Sequence, residues 1–430
     1  MDRPTLSTLP EDVLEEIFSH LKSPTVTWGS ERAELFRNLC LTCRKILPHA
    51  RRHLYRNPSY VSRGLENKEN ALVLLSAVQG NATLGRLVKQ LDGVLSSFRR
   101  FPKDASGGDS EACLWLCAMF KACPALKSTV VVVSTPEQVA QVVEALHPSL
   151  PTLSRVRLCS NTDGGAKLTP ALVRQFVATL GADSLEQFEI SDIAQDEQTD
   201  EPVPLPLLPF AVRRVVLSVS DSHVPFDGIV TCLPTPLHSL RSFEVCSHSF
   251  DPESLLSLVK IVGVHLEELA ICERSEPVLV GYDEYGALAN GISVPLEVFS
   301  LLPNIRTLEL VSVRCLSVER IRGLSRNSPR LTSLDLTEGF WLGDGPIDKT
   351  VPGWQGRLFP QPELAALLST LANLESVDLG VLPVSRHEPL AEKLVKPLED
   401  KGVYLQYTQT LCAVSDTCKV CSGDQWWWTG

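Results

Sequence analysis

No apolar run in this chain approaches the roughly 20 residues that a membrane-spanning helix needs. The first residues also lack the basic-then-apolar pattern of a secretory signal, bringing Asp2, Arg3 and Pro4 instead. The expectation is a soluble protein of the cytoplasm or nucleus without a membrane partner. An excess of basic charge is missing too: 40 Lys and Arg stand against 51 Asp and Glu, a formal net charge of -11 over 430 residues. That argues against a general nucleic-acid binder, because neutralising phosphates needs clustered Lys and Arg. Residues 1–60 hold 9 Lys/Arg against 7 Asp/Glu, so the other 370 hold 31 against 44 and carry -13.

Chemistry-bearing motifs are equally scarce. The 9 histidines include no His-Glu-x-x-His pair, and there is neither a phosphate-cradling Gly-x-x-x-x-Gly-Lys-Ser/Thr loop nor a Gly-x-Ser-x-Gly elbow. No catalytic residue, metal ligand or cofactor is expected. The 13 cysteines are odd in number and irregularly spaced, which fits reduced, mostly buried thiols better than a secreted disulfide framework. Cys40 and Cys43 fall on a predicted helix and read as packing. Cys412, Cys418 and Cys421 offer three thiols near the C-terminal end, without a further Cys or His pair to complete a zinc site. Trp426–Trp428 reads either as a cap on the last repeat or as a loose tail.

What the sequence has in abundance is one six-residue frame, apolar at its first, fourth and sixth places, as in Leu331/Leu334/Leu336. It recurs at Leu153/Val156/Leu158, Leu185/Phe188/Ile190, Val212/Val215/Leu217, Leu240/Phe243/Val245, Leu266/Leu269/Ile271, Ile305/Leu308/Leu310 and Leu374/Val377/Leu379. Successive frames start roughly 26 to 43 residues apart, and the shorter steps suit leucine-rich repeats of one strand plus one helix. A solenoid stacks such units so that each buries its apolar face on its neighbours. The predicted fold is therefore α/β: a horseshoe with a parallel concave sheet and convex helices. Leu84/Leu87 and Leu126/Thr129/Val131 read as degenerate early frames. Helices are expected over 112–123, 137–146, 171–180, 252–262 and 388–400, with Gly402 as the last stop and 403–405 as a closing strand. Pro124, Pro151, Pro303 and Pro329 each stand two residues ahead of a frame, where a helix must end.

The N-terminal 58 residues differ. Thr8 to Glu11 has capping-box spacing, and Leu9, Val13, Leu14, Ile17, Phe18 and Leu21 recur on one face of the helix that follows, opposite Glu11, Asp12, Glu15 and Glu16. A second helix is expected with Ser30 as a candidate cap and Leu35, Phe36, Leu39, Cys40 and Cys43 apolar, and a third over 48–55. Three short helices enclose little, so the apolar face needs either the rest of the chain or another protein.

These residues resemble the F-box family, in Leu9-Pro10, in Leu14/Ile17/Phe18/Leu21, in Cys43-Arg44 and in Leu54-Tyr55; with the repeats behind them, the chain resembles the fungal-type F-box and leucine-rich-repeat proteins. The resemblance implies a substrate adaptor: Leu9, Pro10, Val13, Leu14, Ile17, Phe18 and Leu21 would dock on a Skp-type adaptor and through it on a cullin ubiquitin ligase, while the repeats hold the target protein. The expected organisation is residues 1–58 as the helical domain, 59–410 as the solenoid and 411–430 as a tail. Two alternatives stay open: a binding scaffold whose helical segment only caps the solenoid, and an enzyme with an unrecognised concave site.

A target surface can also be read from the frame. Strand side chains alternate, so its third and fifth residues point away from the core. Early frames place Arg155, Arg157 and Arg214 there, with Glu189 an exception, whereas later ones place Glu244, Glu268, Glu309, Asp335 and Asp378. Three insertions after strands, at 191–209, 273–291 and 337–363, are expected on one rim, and carry Tyr282, Tyr285, Trp341 and Trp354 as candidate anchors. The acidic strip and these aromatics fit a basic segment of an unknown target, the alternatives being ordinary solvation of the sheet face and aromatics that fold back over the sheet edge.

Overall fold

The computed structural model describes residues 9–20, 29–42, 44–58, 68–91, 108–159, 168–181, 184–191, 212–219, 239–247, 252–273, 296–311, 318–336, 361–384 and 395–411. The chain divides into two compact units, residues 1–193 with 208–211 and residues 194–207 with 212–430. The insertions fall almost wholly outside the described residues, as do Leu21, Cys43, Tyr282, Tyr285, Trp341, Trp354 and the C-terminal cysteines and tryptophans.

The first unit opens with three helices: α1 (Glu11–His20), α2 (Gly29–Thr42) and α3 (Leu47–Arg56). Pro10 supplies the first carbonyl of α1 to Leu14 N–H at 3.1 Å, and Glu11 and Asp12 complement the dipole of the first turn. Thr8, the cap expected from the sequence, lies outside the described residues, and the helix starts at Glu11. Ser30 is not a cap, because α2 already begins at Gly29. Phe18, Phe36, Ile46 and Ala50 form the core of these helices, with Phe18 edge-on to Phe36 at 6.0 Å between centroids.

Next come α4 (Lys68–Gly80), α5 (Ala82–Leu87), β1 (Gln90–Leu91), α6 (Gly108–Ala122), β2 (Ser128–Val132), α7 (Pro136–Leu146), a 3-10 turn (His147–Thr152), β3 (Arg155–Cys159), α8 (Pro170–Leu180) and β4 (Gln187–Ser191). Adjacent strands of this set pair in parallel. The Leu84/Leu87 frame is corrected here: both residues lie in α5, which Asn81 caps through bonds from Thr83 and Leu84 N–H. Val88 and Leu91, fully buried ahead of and within β1, hold the apolar places instead. The second degenerate frame is a strand in register, with Thr129 opposite Val156 and Phe188 beyond it. Thr129 is tolerated at 0% exposure because its hydroxyl donates to the Val130 carbonyl at 3.3 Å.

The second unit continues the alternation with β5 (Arg214–Val219), β6 (Ser242–Ser247), α9 (Pro252–Val262), β7 (Glu268–Glu273), α10 (Leu296–Ser300), β8 (Thr307–Val311), α11 (Val318–Asn327), β9 (Ser333–Asp335), α12 (Gln361–Leu368), β10 (Ser376–Val384), α13 (Lys396–Glu399) and β11 (Tyr404–Leu411). Every strand of this set pairs in parallel with the next. The fourth frame residues face one another in sequence: Val215, Phe243, Leu269, Leu308, Leu334, Val377 and then Leu405. The apolar places of the eight frames are buried wherever described, which makes the frame the core of an α/β repeat.

Local signals set the helix limits. Thr135 and Thr169 cap α7 and α8, each with a proline at the next position, where the missing N–H costs nothing. Gly181 and Gly402, at φ +56° and +81°, adopt the left-handed turn that ends a helix. The expected helix over 388–400 is described only as Lys396–Glu399, and the closing strand runs on to Leu411 rather than stopping at Leu405. Helix α12 begins at Gln361, within the third expected insertion.

One packing device has no counterpart in the apolar pattern. Hydroxyls and amides in the turns reach back to carbonyls of the preceding repeat. Ser149 bonds Cys123, Thr152 bonds Leu126, and Ser184 bonds Leu150 and Leu153. In the second unit Ser239 bonds Val212, Asn304 bonds Val264, Ser328 bonds Leu302 and Asn373 bonds Pro329. These donors tie each turn to the one before it, some at carbonyls such as Leu150 and Leu302 that also accept a backbone N–H of their own turn.

Candidate functional sites

On α1 the structure divides the sequence-predicted docking residues. Leu14 and Phe18, 0% and 1% exposed, present no surface to a partner, and Phe18 closes the core with Phe36 of α2 and Ala50 of α3. Pro10 and Val13 are exposed, with Val13 at 38%, while Leu9 and Ile17 are half-buried. Glu15 ties α1 to α3. Its carboxylate accepts from His49 Nδ1 at 2.9 Å, from His53 Nε2 at 3.2 Å and from Arg52, and both histidines are buried. Burial opposes ionisation of Glu15, but bonds from His49 and His53 and the charge of Arg52 outweigh it and lower its pKa. His53 also stacks on Phe36, 5.5 Å between centroids. Sequence reading placed Glu15 on the solvated face; a carboxylate at that position and two histidines four apart on a later helix were the available signal.

In the first unit the outward row of the sheet holds Arg155 and Arg157 beside Glu189. Glu189 is 6% exposed and takes an ion pair from Arg155, with Arg157 Nε at 3.8 Å. The acidic exception in the basic row is thus the shared partner of both guanidinium groups.

The second unit brings the five predicted acidic residues onto one face. The fifth frame places face each other across consecutive strands as Val216, Glu244, Ala270, Glu309, Asp335 and Asp378. The third places run Arg214, Ser242, Glu268, Thr307, Ser333 and Ser376. Glu309, Asp335 and Asp378 therefore occupy three successive strands, whose spacing is about 4.8 Å. Arg214 neutralises the start of the row through Glu244 at 2.9 Å. Glu309 pays for its neighbours: burial comes first, then the charges of Asp335 and Glu244, and its pKa is raised even though Arg214 acts the other way. Ala270 leaves a gap between Glu244 and Glu309, the floor of a shallow recess of about 140 Å³ lined by Arg214, Ser242, Glu268 and Thr307 as well. Its chemistry suits a cationic side chain laid across the strands.

Among the described residues no group of three or more His, Cys, Asp or Glu could hold a metal ion, and no helix is long and apolar enough to cross a membrane.

No protein-family model matches the chain, and no curated protein matches its sequence. Among solved structures, one from Bacteroides fragilis aligns over 66% of this chain at 14% identity with a TM-score of 0.33, and this chain spans 66% of that protein's length. The complex of Rad7 and Elc1 in yeast aligns over 94% of this chain and 98% of the matched chain, also at 14% identity and a TM-score of 0.33.

Proposed function

We propose that the chain is a non-catalytic substrate adaptor of a cullin-type ubiquitin ligase: α1 docks on a Skp-type adaptor, and the acidic row holds a basic segment of a target protein. The observation that carries the docking half is the division of α1. Its inner residues are buried while Pro10 and Val13 remain on the outside and Ile17 is half-buried beside them, where a partner helix could cover all three. The adaptor's contribution would be proximity, raising the local concentration of target lysines near a charged enzyme. Co-purification with a Skp-type protein tests this. The wild type is expected to retain it, and a variant carrying Pro10→Glu and Ile17→Glu to lose it while keeping its circular dichroism; no retention by the wild type, or equal retention by both, overturns the docking role.

A second reading, a scaffold whose helices only cap the repeats, is favoured by the join after α3. Lys89 N–H donates to the Arg56 carbonyl at 2.9 Å, and Asn57 bonds Gln90 at 3.2 Å, so the end of α3 partners the chain around β1. Removing residues 1–58 separates the readings: a mere cap predicts that the remaining repeats lose their cooperative melting transition, an adaptor that they keep it.

A further inference from the structure

The seventh place of two neighbouring frames, one step beyond the acidic row, carries a pair of thiols. Cys246 on β6 and Cys272 on β7 are direct partners in the parallel register, and both are half-buried thiols that take part in no disulfide. Seventh places share the outward face of the third and fifth, so both sulfurs stand on the same side of the sheet as Glu244 and Glu309. The Cys246 thiol donates to Glu244 Oε1 at 3.9 Å, and Cys272 lies near enough to Cys246 and Glu244 for both to raise its pKa. Adjacent strands hold paired Cα atoms about 4.8 Å apart, inside the 4.4–6.8 Å that disulfides span. Cys113 and Cys117, one turn apart on α6, are by contrast both buried.

We propose that Cys246 and Cys272 form a redox modification site, closing to a disulfide across β6 and β7 when they meet a small-molecule disulfide such as oxidised glutathione. Cys246 attacks one sulfur of the oxidant and expels one equivalent of thiol. Cys272 then gives up its proton, attacks the Cys246 sulfur of the mixed disulfide and expels the second equivalent. Two protein thiols and one small disulfide thus become one protein disulfide and two small thiols, and the two electrons end on the released thiols. The proposal gives the first attack to Cys246, and the variants below test that order; Cys246, burial and the nearby carboxylates Glu244 and Glu309 raise the Cys272 pKa, and the donation to Glu244 holds the Cys246 proton in the same sense. The bridge would fix the spacing of the strands that carry Glu244 and Glu268, whatever that face binds.

The test is exposure of the full-length protein to oxidised glutathione, followed by alkylation of the remaining thiols and mass spectrometry. The wild type is expected to lose two hydrogens in a single peptide pair joined through Cys246 and Cys272. A Cys272→Ser variant is expected to stop at the intermediate, with one glutathione on Cys246, and a Cys246→Ser variant to leave Cys272 open to alkylation. Cys246 and Cys272 both alkylated in the wild type, or each joined to other cysteines, overturns the site. Glutathione on Cys272 of the Cys246→Ser variant, with none on Cys246 of the other, overturns the assigned order.

Discussion

Charge sets opposite pH signatures at two single residues. Glu309 has a raised pKa, so its proton is held more tightly in the folded chain; its stabilising effect is present at low pH and is lost as pH rises through the folded value. Glu309→Gln is therefore expected to raise the melting temperature at pH 7, by the equivalent of about 0.2–1 kcal/mol for a like-charge pair across strands. That gain should vanish in a melt at acid pH, where Glu309 is already protonated. Glu15 runs the other way. Its lowered pKa means a contribution that is complete above the ordinary carboxylate value and is lost as pH falls through the lowered one. Glu15→Gln should cost roughly 1–3 kcal/mol at pH 7, since it strips a charged partner from two buried histidines. Denaturant titrations at pH 7 and below pH 3 check this: the variant and wild type should differ in the first and converge in the second.

At the scale of elements, two close approaches leave no room for a side chain. A Cβ on Gly85 would fall 2.1 Å from the Ala122 carbonyl oxygen at the end of α6, and one on Gly263 2.6 Å from that of Leu301. Gly263→Ala should cost about 1–3 kcal/mol by forcing α9 away from the turn after α10, read as a lower denaturation midpoint at an unchanged slope. Ser328→Ala, which removes a buried donor from the Leu302 carbonyl at 3.0 Å, should cost about 0.5–1.5 kcal/mol in the same measurement. Neither kind of site was legible in the sequence. The frame was, because its three apolar places obey one rule in every unit and burial enforces it, so strands and their register followed from Leu153 onward. Leu84 and Leu87 misled because an apolar pair three residues apart serves a helix as well as a frame, and only the Asn81 cap separates the two. The acidic row was legible for the same reason as the strands, as alternation fixes which side chains face outward. The inward turn of Leu14 and Phe18 was not, since one helix face can serve a core or a partner equally well.

For the whole molecule, the repeated frame means that stability is built from nearest neighbours. Leu269→Ala, at the centre of a frame that is buried on both sides in the second unit, should cost about 2–5 kcal/mol. Proteolysis of that variant is expected to attack the second unit first, which mass spectrometry of the early fragments would show. The net charge of -11 adds a long-range term, so binding of a basic peptide to the acidic row should weaken as salt rises.

The back-reaching turn donors give the chain a direction. In the pairs Ser149 to Cys123, Ser184 to Leu150, Ser239 to Val212, Asn304 to Val264, Ser328 to Leu302 and Asn373 to Pro329, the acceptor comes earlier in the sequence than the donor, whereas Ser325 on α11 donates forward to Thr370. On a ribosome the amino end emerges first, so each carbonyl is waiting in a formed turn when its hydroxyl or amide arrives. Within each unit the repeats can then lock on in order of synthesis, each one completed by the next rather than by the release of the whole chain.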